Sequence, residues 1–447
     1  MNKADQKGTS SQWLYILLLL GVMHILMDAR YRIVSFFPSR VIGFGVLGFA
    51  YLVIIILLIG PARSLGRFLV PLDIWVRRKL CPLFIGRRGR DIAILCSVVV
   101  MMIVAGCWLR WLCIRQLPIE PRYADMLPLI QYACETLTKG GNPYGLLFSM
   151  PWKLPLTFWP GLWLPYMGPY LLGIDIRLVH IVIVVGVSLV FSRFLCGKGD
   201  LEVRKKSAIP LAAFSALSLF IFSSEPILFA NIAHTPPQWL WISCLAAAIL
   251  LKRPWMAAVF LGIVLSSRQT AVVYGPLMAI YWLRTYGSIR TAAILSGVAG
   301  GVFLAVCGPF LLLNPHAFLV MPVQHYADLG NWDFSKGQAS YSAQTIGLSY
   351  MIRSVHVKWL LPAISALAVV GPWVIAWRYL RSTTDVLLYM GFAGVVVALT
   401  APIPWHYEYF PAFILIAFAS IAAAAEDDVI RRDAVEENRG SHGTEVP

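Results

Sequence analysis

Charge is scarce in this chain. Asp, Glu, Lys and Arg make up 13% of its 447 residues while 59% are hydrophobic, and the mean hydropathy is +0.72. Together these exclude an ordinary soluble domain. No P-loop is present, and no nucleotide site is expected. The eight cysteines are scattered, without a C-x-x-C pair or a His/Cys cluster, which removes zinc sites and disulfide frameworks. Cys96, Cys107, Cys244 and Cys307 lie inside apolar runs, where small packing residues are expected. No D-x-D spacing occurs, so no metal cofactor is expected, although Asp125 with Asp328 or Asp333 would offer a divalent cation hard oxygen ligands. The alternation and turn spacing of a β-barrel are missing as well.

What the chain has is long apolar runs. WLYILLLLGVMHIL, VIGFGVLGFAYLVIIILLIG and DIAILCSVVVMMIVAGCWL approach the length a helix needs to cross a hydrocarbon core, roughly 20 residues. Helices are the remaining way to span, so the chain reads as an all-α polytopic membrane bundle of about 11–12 transmembrane helices. Spans are expected near 12–28, 41–60, 92–114, 178–194, 207–223, 237–251, 255–283, 290–313, 358–378, 384–401 and 408–424, with 255–283 broken in its middle. The first run is followed by LMDARYR rather than a small-residue cleavage site and is expected to stay as a span. Residues 1–424 make one membrane domain. Residues 425–447, rich in Asp, Glu, Arg and Gly, read as a disordered tail.

The net charge of +15 does not imply nucleic acid, because the cations cluster between spans. Connections 61–91, 193–206, 252–253, 284–290 and 378–381 are basic and expected on the cytoplasmic side of an inner or plasma membrane, together with both termini. That leaves the loop 122–155, the stretch 223–238, the SSRQT break at 266–270, the loop 314–357 and the APIPWHYEY turn on the external side. These hold Asp125, His234, Arg268, His325, Asp328, Asp333, Gln344, His406 and Glu408. The segment 155–173, interrupted by prolines at 155, 160, 165 and 169, is expected to re-enter rather than cross. Such a segment is tolerated only where its freed backbone groups are buried in protein or line a cavity.

In YADMLPLIQYACETLTKGGNPYG, residues 123–145, Met126, Ile130, Ala133, Cys134 and Leu137 recur at three- or four-residue spacing. They form one apolar stripe on a short helix, expected to lie flat on the membrane surface. Pro128 suits its first turn, and Gly140, Gly141 and Asn142-Pro143 end it. Asp125 just before it is either an N-terminal cap or a general base in a partly dehydrated cleft. Arg268, between GIVLS and AVVYGPLMAI, is a cation at membrane depth that requires a partner. The choices are a lipid phosphate, for which the planar guanidinium fork is suited, an internal acid, or snorkelling to the surface. His406, between Trp405 and Tyr407, is either part of an interfacial aromatic belt or a donor to a phosphate or leaving oxygen. Tyr326, Trp332 and Phe334 in the 322–345 loop have the rings to stack on a sugar face, or simply order a surface loop.

Asp125, the amphipathic stretch, GGNPY and the proline-rich PLTFWPGLWLP resemble the first external loop of the polyprenol-phosphate-mannose-dependent mannosyltransferase-like family of GT-C glycosyltransferases. GIVLSSRQTAVVYGPLMAI, SAQTIGLSYMI and LTAPIPWHYEYFPAFIL are similar to further segments of that family in the same order, so the resemblance covers residues 123–424. Two positions depart from it: Arg268 stands where many relatives carry Lys-Pro, and Ala343 where Asn is usual. The resemblance implies inverting transfer of a hexose such as mannose from a polyprenyl-phosphate carrier to an envelope glycolipid or glycan on the external face. It implies Asp125 as catalytic base, His406 as a catalytic or donor-binding group and Arg268 for the donor phosphate. Asn142, Tyr144, Gln344, Trp405 and Glu408 would face the sugar or acceptor. The rival from another class is a transporter or flippase, which should show related halves with discontinuous helices in matching positions. An O-antigen ligase or polymerase would carry its chemistry on one large late loop, whereas here the loop acid comes early.

Overall fold

The computed structural model describes residues 11–37, 40–59, 68–80, 89–121, 124–149, 153–195, 207–223, 234–330, 346–349, 352, 358–401 and 406–441, and these described residues are about 84% helical. Helices α1 (Gln12–Ser35), α2 (Arg40–Ile59), α3 (Val70–Lys79), α4 (Gly89–Gln116) and α5 (Met126–Thr138) precede a small antiparallel ribbon. Its strands are β1 (Leu147–Ser149) and β2 (Lys153–Pro155), with Phe148 opposite Leu154. Then come α6 (Pro160–Trp163), a 3-10 turn at Leu164–Tyr166, α7 (Met167–Leu171), α8 (Leu178–Leu195), α9 (Ile209–Phe222), α10 (Pro236–Leu250) and α11 (Pro254–Leu265). A 3-10 turn, Gln269–Val273, separates α11 from α12 (Tyr274–Tyr286). The order closes with α13 (Ile289–Leu313), α14 (Pro315–Gly330), α15 (Leu361–Tyr379), α16 (Thr383–Thr400), a 3-10 turn His406–Tyr409 and α17 (Phe410–Ser441).

Among the described residues, 7 helices are long and apolar enough to cross a membrane: α1, most of α2 and α4, α8, α13, α15 and α16. The protein is a multi-pass α-helical membrane protein. Helices α9, α10 and α11 are apolar but shorter, and each carries a proline within its first two residues, a position that suits a helix start rather than its interior. The 14 residues of α9 reach only roughly 21 Å at 1.5 Å per residue. Against the eleven or twelve spans expected, seven helices among the described residues meet this length and hydropathy. The run GFGVLG at 43–48 has the spacing of a dinucleotide fingerprint, but it lies inside α2. There Gly48 lets the Gly347 backbone approach to 3.2 Å from where a Cβ would stand.

Helix α17 is the axis of the bundle. Helices α1, α9, α10 and α16 pack on it, and every residue from Phe410 to Ala424 is buried. Small residues permit this crowding: a Cβ on Gly391 of α16 would stand 2.7 Å from Ile416 Cγ1. The helix does not stop at the expected tail. Glu426 accepts the Thr384 backbone N–H at 3.1 Å, and Asp428 pairs with Arg77 of α3 at 2.7 Å. Residues 425–441 thus continue as helix rather than a disordered end, with Glu426 and Asp428 held by partners in the bundle.

These contacts gather α3, the starts of α1 and α16 and residues 426–428 at one end of the bundle. At the opposite end, Arg177 donates to the Leu117 carbonyl, so the excursion from α4 to α8 begins and returns on one side. Segment 155–173 does not cross; its prolines divide it into α6, a 3-10 turn and α7. A second hydrophobic cluster sits on this excursion, built from Leu127, Ile130, Ala133 and Cys134 of α5 with Trp163, Tyr166, Phe310 and Phe318. The α5 stripe is the expected one, but protein covers it, not a lipid surface.

Candidate functional site

Two interrupted stretches meet at the end of the bundle that carries α5. Helix α11 stops at Leu265, where Ser266 and Ser267 turn their hydroxyls back onto the Ile263 and Val264 carbonyls at 2.7 and 2.5 Å, a local competition that ends helices. The freed backbone groups pair with the proline-rich stretch. Gly161 N–H donates to the Ser266 carbonyl at 2.9 Å, and the Gln269 amide donates to the Thr157 carbonyl at 2.9 Å. Trp241 Nε1 donates to the Gly161 carbonyl at 3.1 Å. Only glycine fits at 161, since a Cβ there would lie 2.3 Å from Ser266 Oγ.

This junction aims Arg268. Its guanidinium Nη2 donates to Glu408 Oε1 at 3.0 Å, with both side chains largely buried. Of the partners the sequence leaves open for Arg268, an internal acid is present. Arg268 and Glu408 line a small cleft together with Gln238, Thr270 and Tyr274, walled by Gly394, Val397, Ala398 and Pro411. Burial pushes the Glu408 carboxyl above the ordinary glutamate value, against the opposing pull of Arg268.

The start of α10 borders the same region and is rich in polar atoms without partners. Among the described residues, His234 Nε2, Thr235 Oγ1 and Gln238 Oε1 are buried with no hydrogen bond. Three such atoms within five residues are costly in a closed interior and mark a place for water or a polar ligand. The His234 ring stacks on Phe158 at 3.8 Å and meets Tyr407 edge-on at 5.7 Å. Its Nδ1 lies 2.8 Å from Met126 Sδ. Burial, with the charges of Arg268 and His180, holds its pKa well below the ordinary histidine range, so the ring is neutral at neutral pH.

Asp125 opens α5 with no side-chain cap bond, so its carboxylate does not fill the capping role. It is half-buried and does not line the cleft, but the next residue, Met126, touches His234. Asn142 and Tyr144 are not directed at a ligand: Asn142 Oδ1 accepts the Tyr144 N–H at 3.1 Å. The buried Tyr144 hydroxyl donates to the Phe158 carbonyl at 2.6 Å and accepts from Trp163 Nε1 at 3.0 Å. Both hold the loop together. His406 begins the 3-10 turn that carries Glu408. Gln344, Trp405 and Asp333 lie outside the described residues, as do the side chains of His406 and Asp328.

Sequence reasoning missed His180, Tyr166 and Gln238. Tyr166 hydroxyl lies 2.7 Å from His180 Nε2 and 3.3 Å from the His234 carbonyl, tying the α5 excursion to the start of α10. A histidine and an amide at helix starts, His180 and Gln238, were the available signal, since a polar side chain inside an apolar run needs a partner. No protein-family model matches the chain, and no characterised protein or solved structure matches it.

Proposed function

We propose that the protein is an integral-membrane glycosyltransferase of the GT-C class that moves a hexose from a polyprenyl phosphate to a glycolipid or glycan acceptor at the external face. The supporting observation is the contact of Met126 with His234, which brings the residue after Asp125 within the field of Arg268 and beside Tyr407. In this reading the acceptor hydroxyl passes its proton to Asp125 as its oxygen attacks the anomeric carbon. The bond from that carbon to the phosphate oxygen breaks with inversion, and the electron pair leaves with polyprenyl phosphate. A carboxylate is a weak base toward a hydroxyl, so its effect is positioning and late neutralisation of charge.

Arg268 seats the donor phosphate through its guanidinium N–H donors in place of Glu408. Glu408 holds the guanidinium when no phosphate is there, and its raised pKa eases its protonation when the phosphate takes its place. His406, two residues away on the same turn, is the second donor to the phosphate. The cleft's unpartnered Gln238 is a further hydrogen-bonding group for the sugar. The test is incubation of purified protein in nanodiscs with a panel of polyprenyl-phosphate hexoses and envelope glycolipids. An inverted glycoside on the acceptor supports transfer.

A second reading rests on the junction of two interrupted segments, 156–171 and 265–274, around a buried ion pair, an arrangement that also builds substrate sites in transporters. It predicts movement of an intact lipid-linked or free sugar across the bilayer with no glycosidic bond broken. Counterflow of labelled substrate from proteoliposomes without transfer would favour it over the enzyme.

A further inference from the structure

At the end of the bundle away from the cleft, α3 is held by one face only. Asp73, Val76 and Arg77 are buried. Asp73 accepts from Trp13 Nε1 at 2.8 Å and from Arg77 Nε at 2.9 Å, while Arg77 reaches Asp428 at 2.7 Å. Because Trp13 stands at the start of span α1, these bonds fix α3 at the level where the bundle enters the membrane.

The opposite face of α3 is exposed. Phe68 is 75% exposed, Leu72 42% and Trp75 53%, and with Lys79 they recur at the four- and three-residue steps of one helical stripe. Ile74 beside them is also exposed, as are Arg78 and Lys79. The helix's single acid, Asp73, is consumed by Trp13 and Arg77, so the open face shows aromatic and aliphatic carbon with positive charge only. The surrounding connection repeats the bias: residues 61–91 contain eight Arg or Lys against two Asp. An apolar stripe edged by cations fits an acyl boundary covered by anionic headgroups.

We propose that α3 is an interfacial helix that inserts Phe68, Leu72 and Trp75 among the lipids of the nearer leaflet and binds anionic phospholipid headgroups through Arg78 and Lys79. The buried Arg77 network fixes its depth and orientation. The inference stands whichever chemistry the opposite end performs.

The test uses the full chain in zwitterionic nanodiscs or micelles, with thermal unfolding followed as phosphatidylglycerol is titrated in and phosphatidylcholine as the control lipid. Phosphatidylglycerol raises the melting temperature to a plateau and phosphatidylcholine does not. Arg78→Gln with Lys79→Gln raises the half-saturating lipid concentration roughly fivefold per charge removed, and Phe68→Ser with Trp75→Ser raises it too. Arg290→Gln, an exposed cation at the same end but off α3, leaves it unchanged. An equal response to both lipids, no shift with the charge pair, or an equal shift with Arg290→Gln would overturn the proposal. Should the aromatic pair fail to fold, the charge pair alone decides.

Discussion

Around Arg268, its partner Glu408 and its neighbour His234 titrate with opposite tendencies. His234 has a depressed pKa, so its contribution to stability is complete above the ordinary histidine value of 6.5 and is lost as the pH falls through its folded pKa. Glu408 has a raised pKa, so its contribution is complete below the ordinary 4.5 and is lost as the pH rises through its folded pKa. Between pH 6.5 and pH 4.5, the two ordinary values, they act against each other. Melting curves across that range should show His234→Gln losing less stability on acidification than the parent, and Glu408→Gln losing more. Parallel curves for both variants would contradict the assignment. The sequence announces Arg268 as a cation in need of a partner. It does not announce Glu408, 140 residues away, because that pairing depends on where α17 begins relative to the α11–α12 break. Asn142 and Tyr144 were legible as loop residues, but their use in an Asx turn and a buried hydroxyl network was not.

The elements around the site are breaks that complete each other. Each interrupted segment alone would leave amide and carbonyl groups bare, which a membrane interior does not tolerate; together they pair through Gly161, Ser266, Thr157 and Gln269. Gly161→Ala should therefore cost about 1–3 kcal/mol through overpacking and displace Arg268, lowering both melting temperature and activity. Gly168→Ala, seven residues on in the same segment with nothing within 4 Å, should do neither and serves as the control. The prolines made the interruption of 155–173 readable, and the serines did the same for the break after Leu265. That the two would pair is a tertiary fact with no local signature. Likewise the stripe on α5 was visible as period, while its cover came from Trp163, Phe310 and Phe318, distant residues no window contains.

Across the whole molecule, α17 spans from the cleft to the α3 lock. The rise from Phe410 to Asp428 corresponds to roughly 27 Å of helix at 1.5 Å per residue, enough to join the site at one end to the charged network at the other. The buried Glu426, Asp427 and Asp428 make residues beyond 424 part of that rod. A chain ending at residue 424 should melt below the parent, since buried Arg77 would lose Asp427 and Asp428 and keep only Asp73 as a counter-charge, and the Thr384 N–H would lose its Glu426 acceptor; a chain ending at 441 should match it. Equal melting of all three would return 425–441 to the status of a dispensable tail. Composition alone made the membrane class and the helical architecture legible. Span count was less so, because hydropathy counts apolar residues, while prolines and buried breaks decide how many of them one helix can use.

The account's central claim is that a carboxylate on the α5 excursion and the Arg268 cleft serve one reaction. Single-turnover transfer from polyprenyl-phosphate hexose by Asp125→Asn, compared with the parent and with matched melting temperatures, tests it most directly. The account predicts that transfer is abolished while the variant stays folded and still binds polyprenyl phosphate. Transfer at a rate close to the parent's would contradict it.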